Sequence, residues 1–163
     1  MGAESDGCST ETDPAENKSG SGGKTVSVGQ PITLKGTQYT VLGAKTATSV
    51  GGAYLKERAP AGTVFVIARL RLVNKKTETH TIASDSIKFI GANGKSYDPD
   101  TDASIAADGS LILEEIQPDV PKTGKVIYAV PKAQIVGSKL RVEDFFSDAH
   151  GFIKLGLLGA GVK

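Results

Sequence analysis

The sequence predicts an all-β fold, an antiparallel sandwich or barrel of about eight or nine short strands, and three observations carry that reading. The stretch from Val64 to Asn74 alternates with period two: Val64, Val66, Ala68, Leu70 and Leu72 are apolar, while Phe65, Ile67, Arg69, Arg71 and Val73 change character partway. Such a strand buries one face along its whole length and turns the other polar midway. Each buried side chain contributes about 1.5–3 kcal/mol, so the even face is enough to anchor a sheet. Other short alternating runs follow at intervals, separated by turn residues, and the chain holds 20 glycines and 7 prolines, as many turns between short strands require. Finally, no run reads as a convincing helix. In the central stretch Val64, Val66, Ile67 and Val73 are β-branched, which disfavours a helix there.

The remaining elements follow in order. Val26 and Val28 share one face of a first strand, and Ile32 and Leu34 share one face of a second. Pro31 between them lacks an amide donor, which predicts an edge or a break. Gly36 turns the chain. From Gln38 to Thr48 strict alternation sets Tyr39 and Val41 on one side and Thr40, Leu42 and Ala44 on the other. Ser49 to Gly62, with three glycines, a proline and three charges, reads as a loop. After the central strand, Lys75 to Thr81 is polar and loop-like. Ser86 to Tyr97 reads as a hairpin, with Ile87 and Phe89 alternating before the turn pair Asn93-Gly94.

Asp98 to Gly109 reads as a polar loop, and Leu111 to Ile116 as a short strand with Leu111 and Leu113 opposite Ile112, Glu114 and Ile116. A connection rich in proline leads to the strand from Lys125 to Pro131, with Val126, Tyr128 and Val130 on one face. Pro131 to Val136 suits a single helical turn. Lys139 to Asp144 and Gly151 to Leu158 supply the last strands, the latter with Ile153, Leu155 and Leu157 aligned.

Composition excludes several classes. With 19 Lys and Arg against 18 Asp and Glu the net charge is +1, without the basic excess of nucleic-acid binders. Tryptophan is absent and aromatics make up 6% of residues, too few for base-stacking platforms. One cysteine, Cys8, makes an intrachain disulfide impossible. No run of about eighteen apolar residues is present, so no membrane-spanning helix is expected.

Residues 1–23 contain almost no large apolar side chain and end Asn17-Lys18-Ser19-Gly20-Ser21-Gly22-Gly23. Such a segment buries too little surface to offset its ordering entropy, so it is expected to be a disordered tether. Cys8, followed by Ser9 and Thr10, is laid out like the lipid-bearing cysteine of a bacterial lipoprotein. Gly7 suits the position before it; Ser5 does not suit the apolar position three before. The expectation is a leader cut away, with Met1 to about Gly7 partly foreign to the native chain; the plain alternative is an exposed thiol in a tail. A myristoylation signal fails, because Asp6 stands where Ser or Thr is required.

The order of motifs has a familiar shape. Val28-Gly29 and Tyr39-Thr40-Val41 are followed by Gly62-Thr63-Val64-Phe65-Val66-Ile67 running to Val73-Asn74, then by Gly94-Lys95-Ser96-Tyr97 and Gly124-Lys125-Val126-Ile127-Tyr128-Ala129-Val130-Pro131. Thr25 to Leu157 thereby resembles a bacterial immunoglobulin-like domain family of unknown function, found on secreted proteins and lipoproteins of Gram-positive bacteria. It is similar also to a mycobacterial secreted immunoprotective antigen. The resemblance implies an immunoglobulin-like β-sandwich over residues 24–163, outside the membrane, with no catalytic residues to transfer. It departs from antibody-type domains in lacking the cysteine pair and the core tryptophan.

Several constellations invite chemistry. Asp98, Asp100 and Asp102 alternate in a way that offers oxygen ligands to a hard cation. Ala103 and Gly109 occupy positions where an EF-hand needs glycine and glutamate, so the alternative is a solvated turn. His80 and His150 are the only histidines, and no Gly-x-Ser-x-Gly elbow accompanies them. A zinc site finds one cysteine in the tail. Neither glycine cluster, Gly20 to Gly23 or Gly156 to Gly161, follows a strand and opens a helix as a phosphate cradle does. Arg69 and Arg71 share a strand face, either solvated or forming one wall of a site for an acidic partner.

The expectation is a non-catalytic domain without cofactor, secreted or lipid-anchored at the outer face of the cell membrane. Loops Ser49–Gly62 and Asp98–Gly109 would contact a protein, an envelope glycan or a small ligand. A structural spacer is the second reading and an enzyme the third. Nucleic acid is not expected, and the membrane enters only through the lipid on Cys8. The sequence is silent on the ligand and on the oligomeric state.

Overall fold

Strand β6, Thr63–Asn74, is the centre of a four-stranded sheet whose other members are β2 (Pro31–Leu34), β3 (Thr37–Ala47) and β11 (Lys122–Pro131). The order is β11-β6-β3-β2, antiparallel throughout. The computed structural model describes residues 24–144 and 149–155; the expected tether, Cys8 and Leu157 lie outside them. A second sheet, in the order β1-β13-β12-β8-β9, joins β1 (Lys24–Ser27), β13 (His150–Lys154), β12 (Lys139–Glu143), β8 (Ile87–Ile90) and β9 (Ser96–Tyr97).

The two sheets enclose one core. Val66, Leu70 and Leu72 of β6, with Val126 and Tyr128 of β11, meet Ile87 and Phe89 of β8 and Leu140, Val142 and Ile153 of β12 and β13. The β-sandwich is therefore as the sequence predicts, and the even face of β6 lines its interior. Tyr128 brings a polar atom into this core and satisfies it: its hydroxyl donates to the Ile87 carbonyl at 2.6 Å. Asn74 ends β6 and is buried with its amide fully used. Its Nδ2 donates to the carbonyls of Glu78 and Ile116, and its Oδ1 accepts from the Lys76 amide. Leaving such groups unpaired costs about 1–3 kcal/mol each, so this residue ties the end of β6 to two connections.

The proline and glycine readings hold. Pro31 starts β2, which lies at the edge of its sheet. Lys35 and Gly36 both have positive φ, 47° and 86°, and form the tight β2–β3 turn. The single turn expected near Pro131 is a short 3₁₀ turn, Lys132–Gln134.

Outside the segments Ser49–Gly62 and Asp98–Gly109, five details differ from the sequence reading. There are thirteen strands among the described residues, because several have only two to four residues and leave no readable alternation. One of their pairings, β1 with β13, is parallel. The loop predicted at Lys75–Thr81 gives way at His80 to β7, His80–Ala83, which pairs with β10, Leu113–Ile116. In β10 Leu113 is exposed while Leu111, outside the strand, is buried; the chain is not extended between them, so they do not share a face. Leu111 instead packs over Gly124, where an added Cβ would come within 2.5 Å of its side chain.

The fifth difference is in β3. The register against β6 shifts between Val41 and Gly43, so Leu42 is an extra residue that bulges outward. Alternation resumes one step out of phase. Ala44 then joins Tyr39 and Val41 on the core side, and Lys45, which strict alternation would turn inward, lies on the outer face.

Burial pushes the Tyr39 and Tyr128 hydroxyls well above the ordinary tyrosine range, with Asp144 and Asp98 respectively adding to the effect. In the unfolded chain both ionise near pH 10. Above that pH the unfolded state binds fewer protons than the native one, so their contribution, complete below pH ~10, is lost as pH rises toward the native values. Denaturant unfolding followed from pH 8 to 11 is expected to show stability falling past pH 10, and the Tyr39→Phe/Tyr128→Phe double variant to show a shallower fall.

Candidate functional site

The outer face of the four-stranded sheet is divided in two. On its upper half Phe65 and Ile67 of β6 and Ile127 of β11 are buried although they point away from the sandwich core. They are covered by a small layer that the sequence read as two loops. Within Ser49–Gly62 lies a hairpin of β4 (Ser49–Gly51) and β5 (Lys56–Arg58). Within Asp98–Gly109 lies a helix, α1, Thr101–Ala106. Val50 from β4 and Ala103 and Ala106 from α1 close over Phe65, Ile67 and Ile127 as a second apolar cluster. Both loop readings are thus corrected: three residues per strand and six in the helix are too few for a periodic signal, and only tertiary burial holds them.

Each carboxylate of the Asp98-Pro99-Asp100-Thr101-Asp102 run has a defined place. Asp98 pairs with Lys88, Nζ to Oδ1 2.6 Å. Asp100 is the N-cap of α1: its Oδ1 accepts from the Ala103 amide at 2.9 Å, and its carbonyl accepts from the Ser104 hydroxyl. Asp102 lies exposed in the first turn, where a negative charge is favourable. No group of three His, Cys, Asp or Glu side chains among the described residues is placed to hold a metal ion. A depression of about 390 Å³ beside α1, lined by Asp85, Asp98, Thr101 and Ser104, shares Asp98 with the Lys88 pair.

The histidines do not come together on one element. His80 begins β7, where partial burial and Lys76 lower its pKa while Asp144 opposes the change. His150 begins β13 in the other sheet, its ring edge-on to Phe152.

The lower half of the outer face is open. Arg69 and Arg71 project there, as alternation predicts, and both are exposed. Lys125 sits directly opposite Arg69 on β11, and Gly43 opposite Arg69 on β3. Lys45, two residues along from Gly43, completes the group. Gly43, Lys45, Ile67, Arg69 and Lys125 line a depression of about 360 Å³, continuous through Lys45, Ile67 and Lys125 with a second of about 340 Å³ at the foot of the hairpin. The sequence reading found the two arginines and missed the two lysines. Gly43, a lone glycine inside a strand, was the available signal for a bulge and hence for Lys45.

At the far end of the hairpin, Tyr54 is fully exposed and Leu55 is 54% exposed. Both occupy the turn between β4 and β5.

These features define a β-sandwich domain with one sheet face half-capped and half-open. Residues 26–150 match the family described as a domain of unknown function, DUF4352, and the chain belongs to that family. The uncharacterized protein YxkC of Bacillus subtilis strain 168 is 28% identical over 116 residues, which are 67% of this chain and 64% of that protein. The chain thus spans slightly under two thirds of that relative's length. Among solved structures, the secreted protein MPT63 of Mycobacterium tuberculosis superposes with a TM-score of 0.61 at 17% identity, over 81% of this chain and 97% of its own. The candidate lipoprotein ycdA of Bacillus subtilis superposes with a TM-score of 0.58 at 10% identity, over 77% of this chain and 38% of its own. At such identities the two structures share a fold with this chain.

Because Asp100 is the cap that starts α1, Asp100→Ala is expected to cost about 1 kcal/mol. Denaturant midpoints would measure the loss, and amide exchange at Ala103 and Ser104 would rise with it.

Proposed function

We propose that this chain is a non-catalytic domain of the cell envelope, secreted or held by a lipid on Cys8, that binds a partner through the tip of the β4–β5 hairpin. The observation that carries the reading is the pair Tyr54 and Leu55. A fully exposed tyrosine next to a half-exposed leucine on a short projecting turn gains nothing for the fold and has the composition of an interface anchor. The hairpin is held from beneath by Val50 and α1, so the tip is presented on a packed base. The outward placement draws support from the fold shared with a secreted protein and a candidate lipoprotein. It draws further support from the position of Cys8 ahead of a polar, glycine-rich stretch.

The hairpin-tip reading is tested by immobilising the intact chain and measuring saturable retention of envelope material from Gram-positive cells. Tyr54→Ala/Leu55→Ser is expected to reduce retention about tenfold or more with an unchanged melting temperature. Retention equal to wild type would overturn the reading and favour a spacer. For the anchor, the gene expressed with its native upstream codons in a Gram-positive host is expected to place the protein in the membrane fraction. Cys8→Ser would shift it to the medium, and an unchanged distribution would remove the lipid from the proposal.

A further inference from the structure

Strands β2, β3, β6 and β11 together carry five cationic residues, Lys45, Arg69, Arg71, Lys122 and Lys125, and not one Asp or Glu. Lys122 is paired with Glu114 at 3.0 Å. The other four have no carboxylate within 4.0 Å among the described residues, although Asp108 lines the same depression as Lys45 and Lys125. Arg69 and Lys125 are direct partners across the β6–β11 pairing. Like charges placed directly opposite in an antiparallel pair destabilise it. The fold keeps this repulsion uncompensated, and the bulge at Leu42 adds Lys45 to the same face.

Lys45, Arg69 and Lys125 line the groove, and Arg71 stands two residues further along β6 on the same face. The groove floor is Gly43 and Ile67, and no aromatic side chain lines it. A Cβ added at Gly43 would meet nothing within 4 Å, so the floor is open beside Arg69. Arg69 and Arg71 are same-face neighbours on one strand, which spaces them about 7 Å apart along it. β6 is hydrogen-bonded on both sides along the groove, and β3 beyond Val41 is paired with β6 alone; a peptide added at that β3 edge would lie beside the sheet, not across the face that carries the cations. Without aromatics it offers no platform to bases. What remains is a row of cations that reads the spacing of charge alone. Residues from 24 onward hold 18 of the 19 Lys and Arg but 13 of the 18 Asp and Glu, which adds long-range attraction for an anion.

We propose that Lys45, Arg69, Arg71 and Lys125 form a binding groove for a linear, ring-free phosphodiester polymer of the polyol-phosphate type. Arg69 and Lys125 share one phosphate and so relieve their mutual repulsion. Arg71 and Lys45 engage its neighbours, and the guanidinium forks make paired hydrogen bonds to phosphate oxygens. The groove lies apart from the hairpin tip, and the two proposals stand or fall separately.

The test is titration of the intact chain with poly(glycerol phosphate) at low and at physiological salt. Saturable binding that weakens with salt is expected. Arg69→Glu is expected to weaken it about tenfold or more while melting at or above the wild-type temperature, because the new carboxylate faces Lys125. Gly43→Leu, which fills the floor without touching the core, is expected to weaken binding similarly. Lys24→Glu/Lys95→Glu, two charge reversals in β1 and in the β8–β9 turn of the other sheet, is expected to leave it unchanged, as is Tyr54→Ala/Leu55→Ser. No binding by the wild-type chain at low salt would overturn the proposal, and so would equal losses in the Lys24/Lys95 variant. If poly-L-glutamate binds as tightly and with the same dependence on Arg69, the partner is an acidic peptide and the phosphodiester assignment is wrong.

Discussion

The structure depends on a single strand being buried on both faces over half its length. The even-numbered residues of β6 meet the opposing sheet along the whole strand, and the two other long strands, β3 and β11, flank it on either side. Its odd-numbered residues are buried as far as Ile67, exposed at Arg69 and Arg71, and buried again at Val73. The change of character within one strand therefore dictates where the hairpin and α1 must lie. Phe65, Ile67 and Ile127 supply the apolar surface on which those small elements rest, and neither would persist without it, since short helices and isolated hairpins are marginal in water. The boundary of that cover is the upper wall of the basic groove.

Much of the sandwich was legible because its long strands alternate cleanly. β6 and β11 each present an unbroken apolar row, and Asn74 and Pro131 punctuate their ends. The odd face of β6 is informative as well. Phe65 and Ile67 are too apolar for a solvated face, and they announce that something must pack over them. What would pack was not legible, since α1 has six residues and β4 and β5 three each. Their local preferences are weak, and burial against β6 and β11 decides their structure.

Parity failed in β3 for a related reason. Alternation is a statement about relative position, and one inserted residue reverses every assignment after it. Strict alternation from Tyr39 groups Lys45 with the core, whereas the bulge sends it outward to join Arg69 and Lys125. The Asp98–Asp102 run illustrates the opposite error. Evenly spaced carboxylates suggest a cation, but one is an ion-pair partner, one a helix cap and one a solvated first-turn residue. A pattern of residue types defines a site only once the backbone has brought the side chains to a common point, and here the helix separates them.

The parallel pairing of β1 with β13 has a mechanical consequence. Residues 1–23 lead into β1, a four-residue strand at the margin of its sheet that is registered on Gly151 to Lys154. Any pull exerted through those residues enters the molecule at this margin and is borne first by a few backbone hydrogen bonds, not by the interior strands. Under load β1 would detach while β6 and its neighbours stayed assembled, so the strand can give way without loss of the body of the fold.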